Sequence, residues 1–79
     1  MTHYTSADLH MADRHIAQGE AHIARQEVLL TSLLLRGLPT AEAEKLLKLF
    51  NESQTEHRAH RVAIAAAIDE ETRPESPRP

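Results

Sequence analysis

The sequence predicts an all-α fold: an antiparallel two-helix hairpin that dimerises into a four-helix bundle. Three observations predict it. Leu9, Ile16, Ile23 and Leu30 recur at a strict seven-residue interval, the seam of a packed helix. Ala43, Leu46, Leu47, Phe50, Gln54, His57, Arg61, Ile64 and Ile68 form a second stripe whose steps alternate near three and four. Between these arms of nearly equal length stands Arg36-Gly37-Leu38-Pro39-Thr40, a helix stop followed at once by a helix start.

In chain order, residues 1–5 carry no periodic pattern and are expected to fray. Ser6 is the expected N-cap of the first helix. Thr5 is the alternative, and would make a capping box with Asp8 in place of the usual Glu. The first helix is expected over 7–36, about 45 Å at 1.5 Å per residue. Three residues beyond each heptad position come Ala12, Gly19, Gln26 and Leu33. This second row is small or polar until it nears the turn, so a neighbouring backbone can come close.

The turn is expected over 37–40. Gly37 has no Cβ to resist the left-handed conformation of a helix C-cap, and Leu38 then lies over Leu33 as in a Schellman motif. Pro39 has no N–H to return to the helix. Thr40 caps the second helix, and Glu42 and Glu44 place negative charge at its positive end. That helix is expected over 41–71. Arms of matched length joined by a short turn fold back antiparallel. A symmetric fold about the turn sets residue i against roughly 77 − i. Residues 72–79 hold three of the four prolines and are expected to form a disordered tail.

Composition bounds the function. The chain of 79 residues is one small domain, 41% hydrophobic, with only Tyr4 and Phe50 aromatic. Chains of this size usually need a disulfide, a metal or a partner chain, and there is no cysteine. A homodimer is the expected remedy. The formal charge of −3 argues against a nucleic-acid partner. The longest apolar run, Val28 to Leu35, is broken by Thr31 and Ser32 and is far short of the ~20 residues that cross a bilayer. No membrane partner and no secretory leader are expected, and a cytoplasmic location fits the absence of cysteine.

Near the turn the apolar surface is wider than one partner helix covers. Val28, Leu29, Leu33, Leu34, Leu35, Leu38, Leu46, Leu49 and Phe50 are the candidate interface, expected to meet a second copy or a heterologous protein partner.

The middle of the hairpin carries the remaining candidates. On the symmetric register His57 lies near Glu20 and Arg61 near Ile16, with Gly19 leaving room for their bulk. Gly19, Glu20, His57 and Arg61 are therefore expected to form a structural polar layer, with Glu20 or Asp13 accepting hydrogen bonds from Arg61 or His57, that fixes register more than it adds stability. Arg58 is expected to point outward. His15, His22, His57 and His60 are the candidate ligands of a divalent metal, the one cofactor the chain suggests. Helix-pair carboxylate sites use Glu-x-x-His, which is missing, and His15 and His22 lie ~10.5 Å apart along the axis. If His57 is buried and neutral, its protonation loosens the bundle; if it is paired to Glu20, protonation is favoured.

Residues 11–20 (Met-Ala-Asp-Arg-His-Ile-Ala-Gln-Gly-Glu), 22–26 (His-Ile-Ala-Arg-Gln), 39–47 (Pro-Thr-Ala-Glu-Ala-Glu-Lys-Leu-Leu) and 57–61 (His-Arg-Ala-His-Arg) together resemble a family of short, uncharacterised bacterial proteins. Their pattern is ADRHIAxGExxIxxQ … TxxAExLL … HRxHR. The resemblance spans about residues 9 to 64 and implies a bacterial helical hairpin. It carries no activity and no catalytic residue.

The expected function is thus a small non-catalytic protein–protein interaction or regulatory module, acting through a self-associating hairpin. The alternative is a metal- or small-ligand-binding protein that uses the mid-hairpin histidines. No phosphate loop, nucleophile elbow or HExxH motif suggests an enzyme.

Overall fold

The computed structural model describes residues 3–72, and the Pro-rich segment beyond Thr72 lies outside them. Helix α1 spans Ser6–Leu35 and helix α2 spans Ala41–Thr72. The two pack against each other along their length, and no strand occurs among the described residues.

Each end of α1 is closed by a side-chain or turn device. Thr5, not Ser6, is the N-cap. Its N–H donates to Asp8 Oδ2 at 2.8 Å, and the Asp8 N–H donates to Thr5 Oγ1 at 3.4 Å. The carboxylate of Asp8 is one methylene shorter than that of Glu but still reaches back, which draws the helix start one residue earlier. Of the segment expected to fray, His3 also contacts Glu71 Oε1 at 2.8 Å, tying the chain start to the end of α2.

At the other end Leu38 N–H donates to the Leu33 carbonyl at 2.9 Å and Gly37 N–H to the Leu34 carbonyl at 3.2 Å. These are the two bonds of a Schellman motif. Gly37 sits at φ +67° with open space where a Cβ would be. Only backbone strain therefore opposes a side chain there. Gly37→Ala should lower stability by about 1–2 kcal/mol in a urea titration, without disturbing any packed contact. Thr40 precedes α2, and its hydroxyl donates to Glu44 Oε2 at 3.3 Å instead of accepting from a backbone N–H.

The core between the helices is thin. Ala12, Ala43 and Ile64 are the buried apolar residues, joined by two buried polar ones, Gln26 and Gln54. Both glutamines reach across to the main chain of the opposite helix. Gln26 Nε2 donates to the Ala43 carbonyl at 3.0 Å, and Gln54 Nε2 to the Ile16 carbonyl at 2.9 Å.

The register is about one helical turn away from the symmetric expectation. His57 faces His15, not Glu20, and Arg61 faces Asp13, not Ile16. Gln54 explains the offset. Its amide fills the space over Gly19, where a Cβ would lie 1.9 Å from Gln54 Oε1. Gly19 is the one position of α1 without a side chain, so this is the one level at which the amide can drop between the helices.

Candidate functional site

The two long edges of the hairpin differ in chemistry. Positions seven apart share an edge of a seam helix. On α1, Asp13, Glu20 and Glu27 line one edge, and Arg58 and Asn51 of α2 lie beside them. Here Arg58 Nη2 donates to Glu20 Oε1 at 3.0 Å, and Arg61 Nε donates to Asp13 Oδ1. Both pairs are about half exposed, so each contributes at most about 1 kcal/mol. Arg58 is thus drawn across the helix pair rather than standing free in solvent.

The opposite edge carries His15, His22 and Leu29 from α1 and Leu46, Ser53 and His60 from α2. Toward the turn it holds a groove of about 530 Å³, lined by Leu29, Leu33, Leu46 and Leu49 with Pro39 and Ala43, and by the polar Gln26, Glu42 and Lys45. Of the expected interface residues, Leu33 and Phe50 are half-buried within the subunit. Leu35 and Val28 are 83% and 70% exposed. Leu29, Leu34, Leu38, Leu46 and Leu49 are also exposed.

Further along the same edge is a cleft of about 270 Å³ at the middle of the hairpin. His15 and His57 face each other across it with ring centroids 5.6 Å apart and planes tilted by 47°. Ser53 Oγ lies 3.3 Å from His57 Nε2. His22 stacks on Phe50 with centroids 5.6 Å apart, and Arg25 Nη2 donates to its Nδ1 at 3.2 Å. Gln54 and Gly19 form part of the cleft's wall. No Asp, Glu, Lys or Arg lines it.

The residues expected as a polar layer are therefore dispersed. Gly19 houses Gln54, Glu20 binds Arg58, and His57 faces His15 and Ser53, while Arg61 binds Asp13, one of its two expected acceptors. The buried polar positions at the seam are the two glutamines. The four candidate metal ligands are likewise divided. His15 and His57 are brought together; His22 is taken by Phe50 and Arg25; His60 meets the edge of Tyr4 with centroids 6.2 Å apart. Among the described residues no three His, Asp or Glu converge as a metal would require.

Sequence reasoning passed over the glutamines' reach to the main chain. The sequence offers only a Gln on each helix's seam and a lone helical glycine, and the symmetric register does not set Gln54 against Gly19. It also passed over Ser53–His57, four residues apart on one helix face. That pair alone is not a nucleophile with its base. The group facing His57 from α1 is a second imidazole, not an orienting carboxylate, and mid-helix N–H groups are engaged in the helix and cannot form an oxyanion hole.

No helix among the described residues is long and apolar enough to cross a membrane. Comparison with protein-family models, with curated proteins and with solved structures gives no match to this chain.

Proposed function

We propose that the chain is a small non-catalytic interaction or regulatory module that works as a homodimer, two hairpins packing through their histidine-and-leucine faces as a four-helix bundle. The observation that carries this reading is the asymmetry of the two edges. One carries both Arg–carboxylate pairs, while the other presents exposed leucines, with Glu42 and Lys45 beside them, leading into a cleft that no charged side chain lines. Three small or medium apolar residues are a slender core for two helices of 30 and 32 residues. Burying the leucine face supplies what the isolated hairpin lacks.

The dimensions suit a second copy. A two-helix face about 45 Å long and about 20 Å wide offers roughly 900 Å². A stable interface buries about 800 Å² per partner. A two-fold arrangement with antiparallel hairpins sets the bulky Leu29, Leu46 and Leu49 of one copy against the small Ala63 and Ala67 and the flexible Met11 at the free end of the other. Large against small is the fit that close packing requires.

Light scattering on the untagged chain at micromolar concentration should give twice the chain mass. Leu49→Asp should convert it to monomer, because a carboxylate cannot be buried there unpaired. Val62→Asp, on the charged side, should not. A monomeric wild-type chain would sink the proposal and leave the leucine face to a heterologous protein.

A further inference from the structure

We infer that His15 and His57 are half of an intermolecular divalent-metal site, completed by the same two side chains of a second copy. The inference rests on the dimer proposed above and gives its centre a chemistry.

The geometry of the pair supports it. Two imidazoles that share a tetrahedral zinc at the usual ~2.0 Å Zn–N distance have ring centroids about 5 Å apart. The His15 and His57 centroids are 5.6 Å apart across an open cleft, on two different helices. No carboxylate or cation lines the cleft, so neither ring is claimed by an ion pair there and none repels a metal. Ser53 Oγ already engages His57 Nε2, which orients the ring and leaves Nδ1 for the ion.

The site is incomplete in one subunit. No third His, Asp or Glu joins the pair among the described residues. His22, next on the edge, is occupied by Phe50 and Arg25. His57 lies at the middle of α2, and His15 faces it from about a third of the way along α1. A two-fold axis that lets one face cover the whole of another passes near that middle. It sets two histidine pairs against each other. Four neutral imidazoles suit zinc, nickel or copper and do not suit calcium or magnesium.

The test uses the untagged chain, stripped with EDTA and then titrated with zinc chloride. Zinc uptake is followed by calorimetry and mass by light scattering. The wild type should bind about half a zinc ion per chain as a dimer, and cobalt(II) in its place should give the intense visible bands of a four-coordinate site. His57→Gln and His15→Gln should each lose uptake at least tenfold, with helical content by circular dichroism showing that they fold. His60→Gln, which lies outside the cleft, should keep it. A dimer whose zinc uptake matches that of His57→Gln overturns the metal site and leaves the dimer standing. A monomer with and without zinc overturns both. One zinc per monomeric chain overturns the shared site.

Discussion

Gly19→Ala should lower the stability of the hairpin by up to about 2 kcal/mol, and adding Gln54→Ala should lower it little further, because both changes remove the same seated amide. The sign runs against helix propensity. Alanine in a helix interior is favoured over glycine by about 1 kcal/mol. Here the new methyl would stand 1.9 Å from Gln54 Oε1 and 2.8 Å from Gln54 Cδ. The amide must leave its slot, breaking its bond to the Ile16 carbonyl and exposing the seam that it seals. Losing such a buried hydrogen-bonded group costs about 1–3 kcal/mol, which the ~1 kcal/mol propensity gain offsets only in part. With alanine at both positions the clash disappears and the propensity gain remains. Urea unfolding of the four chains closes a double-mutant cycle. Additive effects, or a more stable Gly19→Ala chain, would refute the seating of the amide against Gly19.

Gln54 Oε1 sharpens this expectation, because it is buried with no hydrogen-bond partner. Its neighbour is the bare Cα of Gly19, whose hydrogen offers at best a weak contact. The glutamine therefore stabilises less than a fully bonded one would. What it does is select register, since sliding the helices by a turn in either direction puts the amide against a side chain. Gln54→Leu should shift stability by under about 1.5 kcal/mol, as a swap of similar volume does, while loosening that selection.

Ile64→Ala should cost about 3 kcal/mol, the largest loss from any single truncation on the surface between the helices. Ile64 is 2% exposed and is the bulkiest fully buried side chain among the described residues. By the register of Arg61 with Asp13, it lies one turn further on, toward Leu9 and Ala12. Removing a buried aliphatic side chain forfeits its transfer energy and leaves a void that two stiff helices collapse only in part. For a domain this small each kcal/mol moves the melting temperature by about 4–8 °C, so the drop should exceed 10 °C. Val62→Ala, two residues away and 65% exposed, is the control and should stay within about 0.5 kcal/mol. Both melts need the same protein concentration, because association adds to apparent stability. Equal shifts would mean that the interhelical core lies elsewhere.

The two helices and the reversal between them were legible in the sequence because each is a local matter. A glycine before a proline, flanked by leucine runs, has few conformations open to it, and the seven-residue spacing of Leu9 to Leu30 belongs to one helix alone. Register was not legible. It depends on how one amide on α2 fits one gap on α1, a match between residues 35 positions apart that leaves no periodic trace. The one-turn difference then redistributed the mid-hairpin side chains: Glu20 went to Arg58, Arg61 to Asp13, and His57 to His15. The N-cap moved for a local reason, the reach of Asp8, which spacing alone leaves open between Thr5 and Ser6.

The two bonds that run from a glutamine to the opposite helix end on main-chain oxygens, at Ile16 and Ala43. Every amino acid brings that oxygen with it. Sequence drift at the receiving positions is therefore free to change the side chain without touching the bond, provided the helix stays intact. The donors have no such freedom, so the selective burden of keeping the helices aligned falls on one member of each couple.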